Sequence, residues 1–188
     1  AVYMYPILEI TEIPVGVPLA SVVMGEEVVP DFDADQVLSI ADTTSLALGP
    51  DGRVYIATID GNIKHYKLLA EDGNLTDGET IKTDFDDVLG IEFNPFNGDE
   101  MKLYVVHQTL YAGGGACYMG IDMGYSGKIS TLTLTSKDNW EAKTIVEGLP
   151  VSNHDHGLNG IIFDQNGDLI VAVGGNTNGG VPGNCKMG

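Results

Sequence analysis

The segment GLPVSNHDHGLNG, residues 148–160, holds the densest group of residues that could carry chemistry: His154, Asp155 and His156. An imidazole with an ordinary pKa of about 6.5 accepts a proton near neutral pH, so His156, with Asp155 beside it, could serve as a general base. His154 and His156 lie two residues apart and share one face of an extended segment, where they could instead ligate a metal ion. A third interpretation is that His156 only hydrogen-bonds neighbouring backbone.

A second candidate site is the acidic run near the start of the chain. Asp31, Asp33, Asp35 and Asp42 match the first, third, fifth and twelfth positions of a calcium-binding loop. Gln36, however, replaces the glycine that such loops need for their turn, and the last residue is Asp where the loop has Glu. The spacing therefore makes Asp31, Asp33 and Asp35 weak candidates for calcium ligands.

The two cysteines, Cys117 and Cys185, both lie in glycine-rich sequence, GGGACYMG and PGNCKMG. A disulfide that closes a long loop is more useful there than a buried thiol, so we expect both to be oxidised, either to each other or to cysteines elsewhere. The triplet beginning at Asn74, Asn-Leu-Thr, is a glycosylation acceptor within a turn-rich segment. These features favour an extracellular or cell-surface location.

The composition excludes several classes of function. The chain has 188 residues, 43% of them hydrophobic, and a net charge of −18. Residues 1–100 hold 20 acidic and 4 basic residues, a net charge of −16 for that half. Such a surface repels phosphate backbones, which excludes nucleic-acid binding. The uncharged stretch at 13–24 contains two prolines and is shorter than the roughly 20 residues that a membrane-spanning helix needs, so no membrane insertion is expected.

The secondary structure around these residues is predicted to be β-strand. Short apolar runs alternate with period two and end at Gly, Asp or Asn, which is typical of strands joined by tight turns. One strand–turn–strand pattern occurs three times, as SLALGPDGRVYIAT at 45–58, IEFNPFNGDEMKLYVV at 91–106 and IIFDQNGDLIVAVGG at 161–175. The spacing of the copies lies in the range of propeller repeats.

Further strands are predicted at Asn62–Leu69 and Thr80–Phe85 after the first copy, and at Lys128–Thr135 and Ala142–Glu147 after the second. The sequence thus predicts an all-β protein, a partial β-propeller of four-stranded antiparallel blades. The predicted boundaries are an irregular acidic lead-in with one or two strands at 1–43, blade one at about 44–86, blade two at about 88–147 with an insertion at 108–127, and the start of blade three at about 157–188.

The segment 148–175 resembles the soluble quinoprotein glucose/sorbosone dehydrogenases, whose superfamily includes the propeller of the hedgehog-interacting-protein type. The resemblance rests on a Gly-Leu-Pro turn, a polar stretch ending in Asp-His, and a strand, turn and strand leading to a Gly-rich loop. TSLALGPDGRVYIATIDGNI and VLGIEFNPFNGDEMKLYVV are similar, more weakly, to the first two blades of that family. The resemblance covers about residues 43–175 and implies a six-bladed propeller, of which the chain holds roughly two and a half blades.

The resemblance also implies a chemistry. In the catalytic members the His of the Asp-His pair removes the substrate hydroxyl proton while a hydride passes to pyrroloquinoline quinone, and His156 is the matching residue. Two polar anchors are missing, because Gly160 stands where the family has Arg, and Gly174-Gly175 stands where it has Gly-Asp. The quinone carries three carboxylates that require Arg or Lys. The chain has a single Arg, Arg53, in the turn of the first repeat.

Two functions therefore remain open. The first is a non-catalytic interaction or structural module of a larger surface or matrix assembly, which binds a protein or carbohydrate partner and packs against the remainder of its own propeller. The second is a quinone-dependent sugar (aldose) dehydrogenase with His156 as general base and Asp155 beside it. The missing anchors and the acidic first half favour the first function. Calcium is compatible with both functions, and the quinone belongs only to the second.

Overall fold

The computed structural model describes residues 2–4, 35–109, 125–151 and 156–175. These described residues form β-strands joined by turns, with no helix among them. The chain divides into two compact units, Ala1–Ser39 and Ile40–Gly188. In the first unit, β1 (Val2–Met4) pairs antiparallel with β2 (Asp35–Leu38).

The second unit contains antiparallel sheets whose strands follow one another in chain order. Blade one comprises β3 (Thr43–Leu48), β4 (Arg53–Thr58), β5 (Ile63–Leu68) and β6 (Leu75–Ile81). Blade two comprises β7 (Gly90–Phe93), β8 (Lys102–His107), β9 (Gly127–Ser136) and β10 (Asn139–Leu149). The third pair comprises β11 (Leu158–Phe163) and β12 (Leu169–Val173). The predicted all-β fold of four-stranded antiparallel blades is confirmed.

The turn between the first two strands of each repeat is closed by its own side chain. A side-chain oxygen accepts the N–H two residues ahead in each case: Asp51 from Arg53 at 3.1 Å, Asn94 from Phe96 at 2.9 Å and Asp164 from Asn166 at 2.8 Å. A glycine with positive φ completes each turn, Gly52 at 73°, Gly98 at 60° and Gly167 at 83°. Only glycine adopts this conformation at little cost, which explains why the Pro-Asp-Gly and Asn-Gly patterns mark these positions.

Apolar clusters hold the sheets face to face. Period-two alternation sends one side of blade one and one side of blade two into a shared core. Its buried members include Tyr55, Ile63, Ile91, Phe93 and Leu103. A second cluster joins blade two to the third pair, and its buried members are Val106, Ile129, Val151, Leu158 and Ile161. The first strands of the sheets, β3, β7 and β11, pack side by side and form the inner edge of the array.

The fourth strand of blade one lies earlier in the chain than predicted. The prediction was Thr80–Phe85, and the strand is Leu75–Ile81. The chain reverses directly after β5, because the N–H of Leu69 donates to the carbonyl of Asn74 at 2.9 Å. The strand is a sheet edge with mostly exposed side chains. Its polar sequence therefore lacks the alternation by which the other strands were recognised.

Large apolar side chains are exposed on the opposite faces of the strands. Ser45 and Ala47 of β3 face β7, so the alternating residues Leu46 and Leu48 point the other way, and they are 55% and 61% exposed. In the third pair, Ile162 and Ile170 are 56% and 50% exposed for the same reason. These two surfaces are apolar faces of sheets.

Candidate functional site

One end of the sheets, which we call the mouth, is built alike in all three repeats. The residue that follows the second strand donates its N–H to a residue just before the first strand. These pairs are Ile59 to Asp42 at 3.0 Å, Gln108 to Asp86 at 3.2 Å and Gly174 to Gly157 at 3.1 Å. The segments leading into β3, β7 and β11 are therefore held at this end.

Gln108 ties the mouth of blade two to that of the third pair. Its side chain is buried, with 1% of the residue exposed. The amide nitrogen donates to the carbonyl of Asp87, and the amide oxygen accepts the N–H of Leu158, both at 2.8 Å. One side chain thus satisfies a backbone acceptor and a backbone donor from two different sheets, which fixes where β11 begins.

His156 stands at the mouth, two residues before Leu158, and is half-buried. Its backbone packs against Gly174, where a Cβ atom would lie 2.8 Å from the carbonyl carbon and from the Cβ of His156. Gly174 is therefore required for His156 to sit where it does. Asp155 and His154, the neighbours with which a catalytic pair or a metal site was predicted, lie outside the described residues.

At the ends of blades one and two, the mouth contains an acidic hollow of about 400 Å³, lined by Ile59, Asp60, Asp86, Asp87 and Thr109. Hydrogen bonds from the hydroxyl of Thr58 and the amide of Asn62 lower the pKa of Asp60. Its carboxylate therefore stays ionised at neutral pH. The hydroxyl of Thr109 donates to Asp86 at 3.4 Å, at the long limit of a hydrogen bond.

The residues that line the hollow do not fit pyrroloquinoline quinone. Three carboxylates of that group would meet the three carboxylates of the hollow, where guanidinium or ammonium groups would be required. Arg53, the one arginine of the chain, lines a different cleft and donates to the carbonyl of Asp77 at 3.0 Å.

A chain of polar side chains in blade two runs from the buried His107 to the exposed Thr144. Nε2 of His107 lies 2.9 Å from the hydroxyl of Ser130, which lies 3.1 Å from that of Thr144. Phe85 stacks on the imidazole with a centroid distance of 4.2 Å. Burial, and then the charge of Lys128, lower the pKa of His107 to about 4, so the ring is neutral at neutral pH. His107 and Gln108 were not predicted as site residues, although a polar pair directly after KLYVV is a visible signal.

The second concave site, which we call the outer cleft, lies between blade one and the β9–β10 hairpin and measures about 440 Å³. On its floor Tyr55 stacks on His65 with a centroid distance of 4.9 Å, and its hydroxyl donates to Asp51 at 3.0 Å. Burial raises the pKa of Tyr55, and the charge of Asp51 raises it further. Burial lowers the pKa of His65, and the charge of Arg53 lowers it further. Both rings are therefore neutral near pH 7.

Asn74, the predicted glycosylation acceptor, lines neither cavity. Asn74 is exposed in the turn before β6, and its amide donates to Asp72 at 2.7 Å. Asp35 begins β2. The structure does not describe Asp31, Asp33, Cys117 and Cys185, so the calcium and disulfide predictions on them lie outside the described residues. Within the described ranges, no group of three or more His, Cys, Asp or Glu is arranged to hold a metal ion. No helix there is long and apolar enough to cross a membrane.

Comparisons with known proteins identify the fold. No protein-family model and no curated protein match the chain. Among solved structures, it is similar to a protein assigned as an oxidoreductase (glucose dehydrogenase) from Thermus thermophilus, with 21% identity, a TM-score of 0.51 and coverage of 73% of this chain and 38% of that one.

Two more distant matches are a PQQ-bound aldose sugar dehydrogenase from Streptomyces coelicolor and a periplasmic gluconolactonase from Pseudomonas aeruginosa. Identity is 14% and 12%, the TM-scores are 0.48 and 0.49, and the matches cover 70% and 75% of this chain. The chain spans 37% and 40% of the length of those structures. The likeness to the Thermus protein confirms the partial β-propeller fold that the repeats and the family resemblance predicted, and at this identity it shows the fold alone.

Proposed function

We propose that the chain is part of an extracellular β-propeller whose mouth binds a partner protein and does not oxidise a sugar. The observation that supports this proposal is the acidic hollow, where Asp60, Asp86 and Asp87 line one cavity. A cavity of this charge attracts lysine and arginine side chains and repels anionic cofactors.

The charge of the whole chain acts in the same direction. Residues 40–100, which include every residue of the hollow except Thr109, hold 13 acidic and 4 basic residues, a net charge of −9. Long-range attraction would therefore steer a basic segment toward the face where the hollow lies. The partner expected from this chemistry is a protein with an exposed lysine- or arginine-rich segment.

Titration of the full chain with a lysine-rich peptide, followed by calorimetry at low and physiological salt, tests the proposal. We expect binding that weakens as salt rises and that falls about threefold to tenfold in Asp86→Asn, because one charge-assisted contact is lost. The matched control is Asp99→Asn, since Asp99 is an exposed carboxylate in the turn between β7 and β8. Equal losses in both variants would mean nonspecific attraction to an acidic protein, and the proposal would be wrong.

The second candidate function is the quinone-dependent sugar dehydrogenase. The position of His156 favours it, because this imidazole stands at the mouth immediately before the inner strand β11. Supplying the chain with pyrroloquinoline quinone, calcium and glucose and following dye reduction tests it directly. We expect no sugar-dependent reduction. A rate that drops by about 10²–10⁴-fold in His156→Gln, the loss typical of a general base, would establish the dehydrogenase and refute the binding module.

A further inference from the structure

We propose that the outer cleft binds an acidic sugar, a pyranose ring that carries one carboxylate, such as a uronate. This site is separate from the mouth and does not depend on the function proposed for it. The cleft volume of about 440 Å³ lies within the range of small-molecule sites. Three observations on the lining residues support the assignment, and they concern charge, ring surface and unused hydrogen-bonding capacity.

Basic side chains are concentrated in the cleft. The chain has nine Lys and Arg residues against 27 acidic ones, and three of the nine, Arg53, Lys82 and Lys137, line this one cavity. Lys82 and Lys137 are exposed and form no ion pair or hydrogen bond with any residue that the structure describes. An anionic group that enters the cleft could therefore pair with these two ammonium groups, because no acidic side chain within the described ranges forms an ion pair with them.

The aromatic residues supply a surface for a sugar ring. Trp140, at the start of β10, is half-buried and lines the cleft, and it packs edge-on against the buried Tyr55 with a centroid distance of 6.1 Å. Tyr55 in turn stacks on His65. The indole is thus held by a packed aromatic layer beneath it and keeps part of its surface toward the cavity, as sites for apolar ring faces require.

Acidic groups in the cleft determine which anion fits. Glu79 is half-exposed and lies 3.7 Å from Arg53 and 3.8 Å from His65, too far for hydrogen bonds, so its oxygens can accept hydrogen bonds from ligand hydroxyls. Asp51 and Asp138 also line the cavity. Three carboxylates beside three cations disfavour a dianion such as phosphate. They suit a ligand whose single carboxylate contacts the basic side chains and whose hydroxyls donate hydrogen bonds to the acidic ones.

Trp140 is the only tryptophan of the chain, so its fluorescence reports on this cavity. Titration of the full chain with D-galacturonate, D-glucose and inorganic phosphate tests the proposal. We expect a saturable fluorescence change with galacturonate at millimolar concentration, and binding of glucose and phosphate that is weaker by about tenfold, the value of one charge-assisted contact. Binding of glucose as tight as that of galacturonate, tighter binding of phosphate, or no saturable change would overturn it.

Two charge-removing variants localise the binding. Lys137→Gln changes an exposed residue of the β9–β10 hairpin and should weaken galacturonate binding about tenfold without lowering the melting temperature. Lys64→Gln removes the same charge from β5, on the strand face opposite His65, and should leave binding unchanged. If the two variants weaken binding equally, the sugar responds to overall charge and the assignment to the outer cleft is wrong.

Discussion

Replacing Gln108 tests the connection between blade two and the third pair. In Gln108→Leu the side chain keeps similar bulk but loses both hydrogen bonds, so the carbonyl of Asp87 and the N–H of Leu158 lose this buried partner. Each buried polar group left unsatisfied costs about 1–3 kcal/mol, which gives about 2–6 kcal/mol for the pair. A domain of this size has a free energy of unfolding of about 5–15 kcal/mol, so the loss is large.

Gln108→Glu adds a test of mechanism. The charged carboxylate still accepts the N–H of Leu158 but repels the carbonyl of Asp87. The protonated acid can donate to that carbonyl as the native amide does. Burial raises the pKa of such a carboxyl in the folded state above its unfolded value of about 4.3. The proton therefore stabilises the folded state at low pH, and this stability is lost as the pH rises through the folded-state pKa.

Urea unfolding at pH 5 and pH 7 measures both effects. Gln108→Leu should lower the free energy of unfolding at each pH, and Gln108→Glu should lower it more at pH 7 than at pH 5. Gln165→Glu is the matched control, because Gln165 is exposed in the turn between β11 and β12, and it should stay within about 0.5 kcal/mol of wild type. A Gln108→Leu protein as stable as this control would refute the idea that the amide joins the two sheets.

Three further outcomes are expected. The pKa of His107 is about 4 in the folded state and about 6.5 in the unfolded state. Its neutral form therefore adds up to about 3 kcal/mol to the free energy of unfolding above pH 6.5, and this contribution is lost as the pH falls toward 4. In urea unfolding across that range, His107→Asn should lose less stability on acidification than the wild type. Gly174→Ala should cost about 1–3 kcal/mol and shift the NMR signals of His156, whereas Gly160→Ala, where a Cβ meets no atom within 4 Å, should leave those signals in place. When both are secreted from eukaryotic cells, the wild-type chain should be heavier than Asn74→Gln by the mass of one N-glycan. Equal masses would contradict the acceptor assignment.

The sequence predicted those parts of the fold that depend on local rules. Tight turns at Pro-Asp-Gly and Asn-Gly, followed by alternating strands, mark all three repeats because short-range hydrogen bonds and a left-handed glycine create them. The edge strand Leu75–Ile81 was predicted too late in the chain, at Thr80–Phe85, because a strand with one neighbour and little buried surface has no need of apolar alternation.

The candidate sites were predicted less completely. His156 could be singled out because it precedes a recognisable strand, and the repeat geometry then gives its place at the mouth. The cleft residues Arg53, His65 and Trp140 come from three different strands of two sheets, and their proximity follows from how the sheets pack. A single sequence contains no signal for that packing. Gln108 was missed for the same reason, since its partner Leu158 is 50 residues away.

The self-closed turns have a consequence for the order in which the protein folds. Each turn is stabilised by a side chain two residues away, so the hairpins β3–β4, β7–β8 and β11–β12 require little loop closure and can form early. Links between sheets, such as the N–H of Ile91 to the hydroxyl of Ser45 across 46 residues, must form later. We therefore expect that removal of a turn side chain such as Asp164 slows refolding, whereas loss of a link between sheets mainly accelerates unfolding.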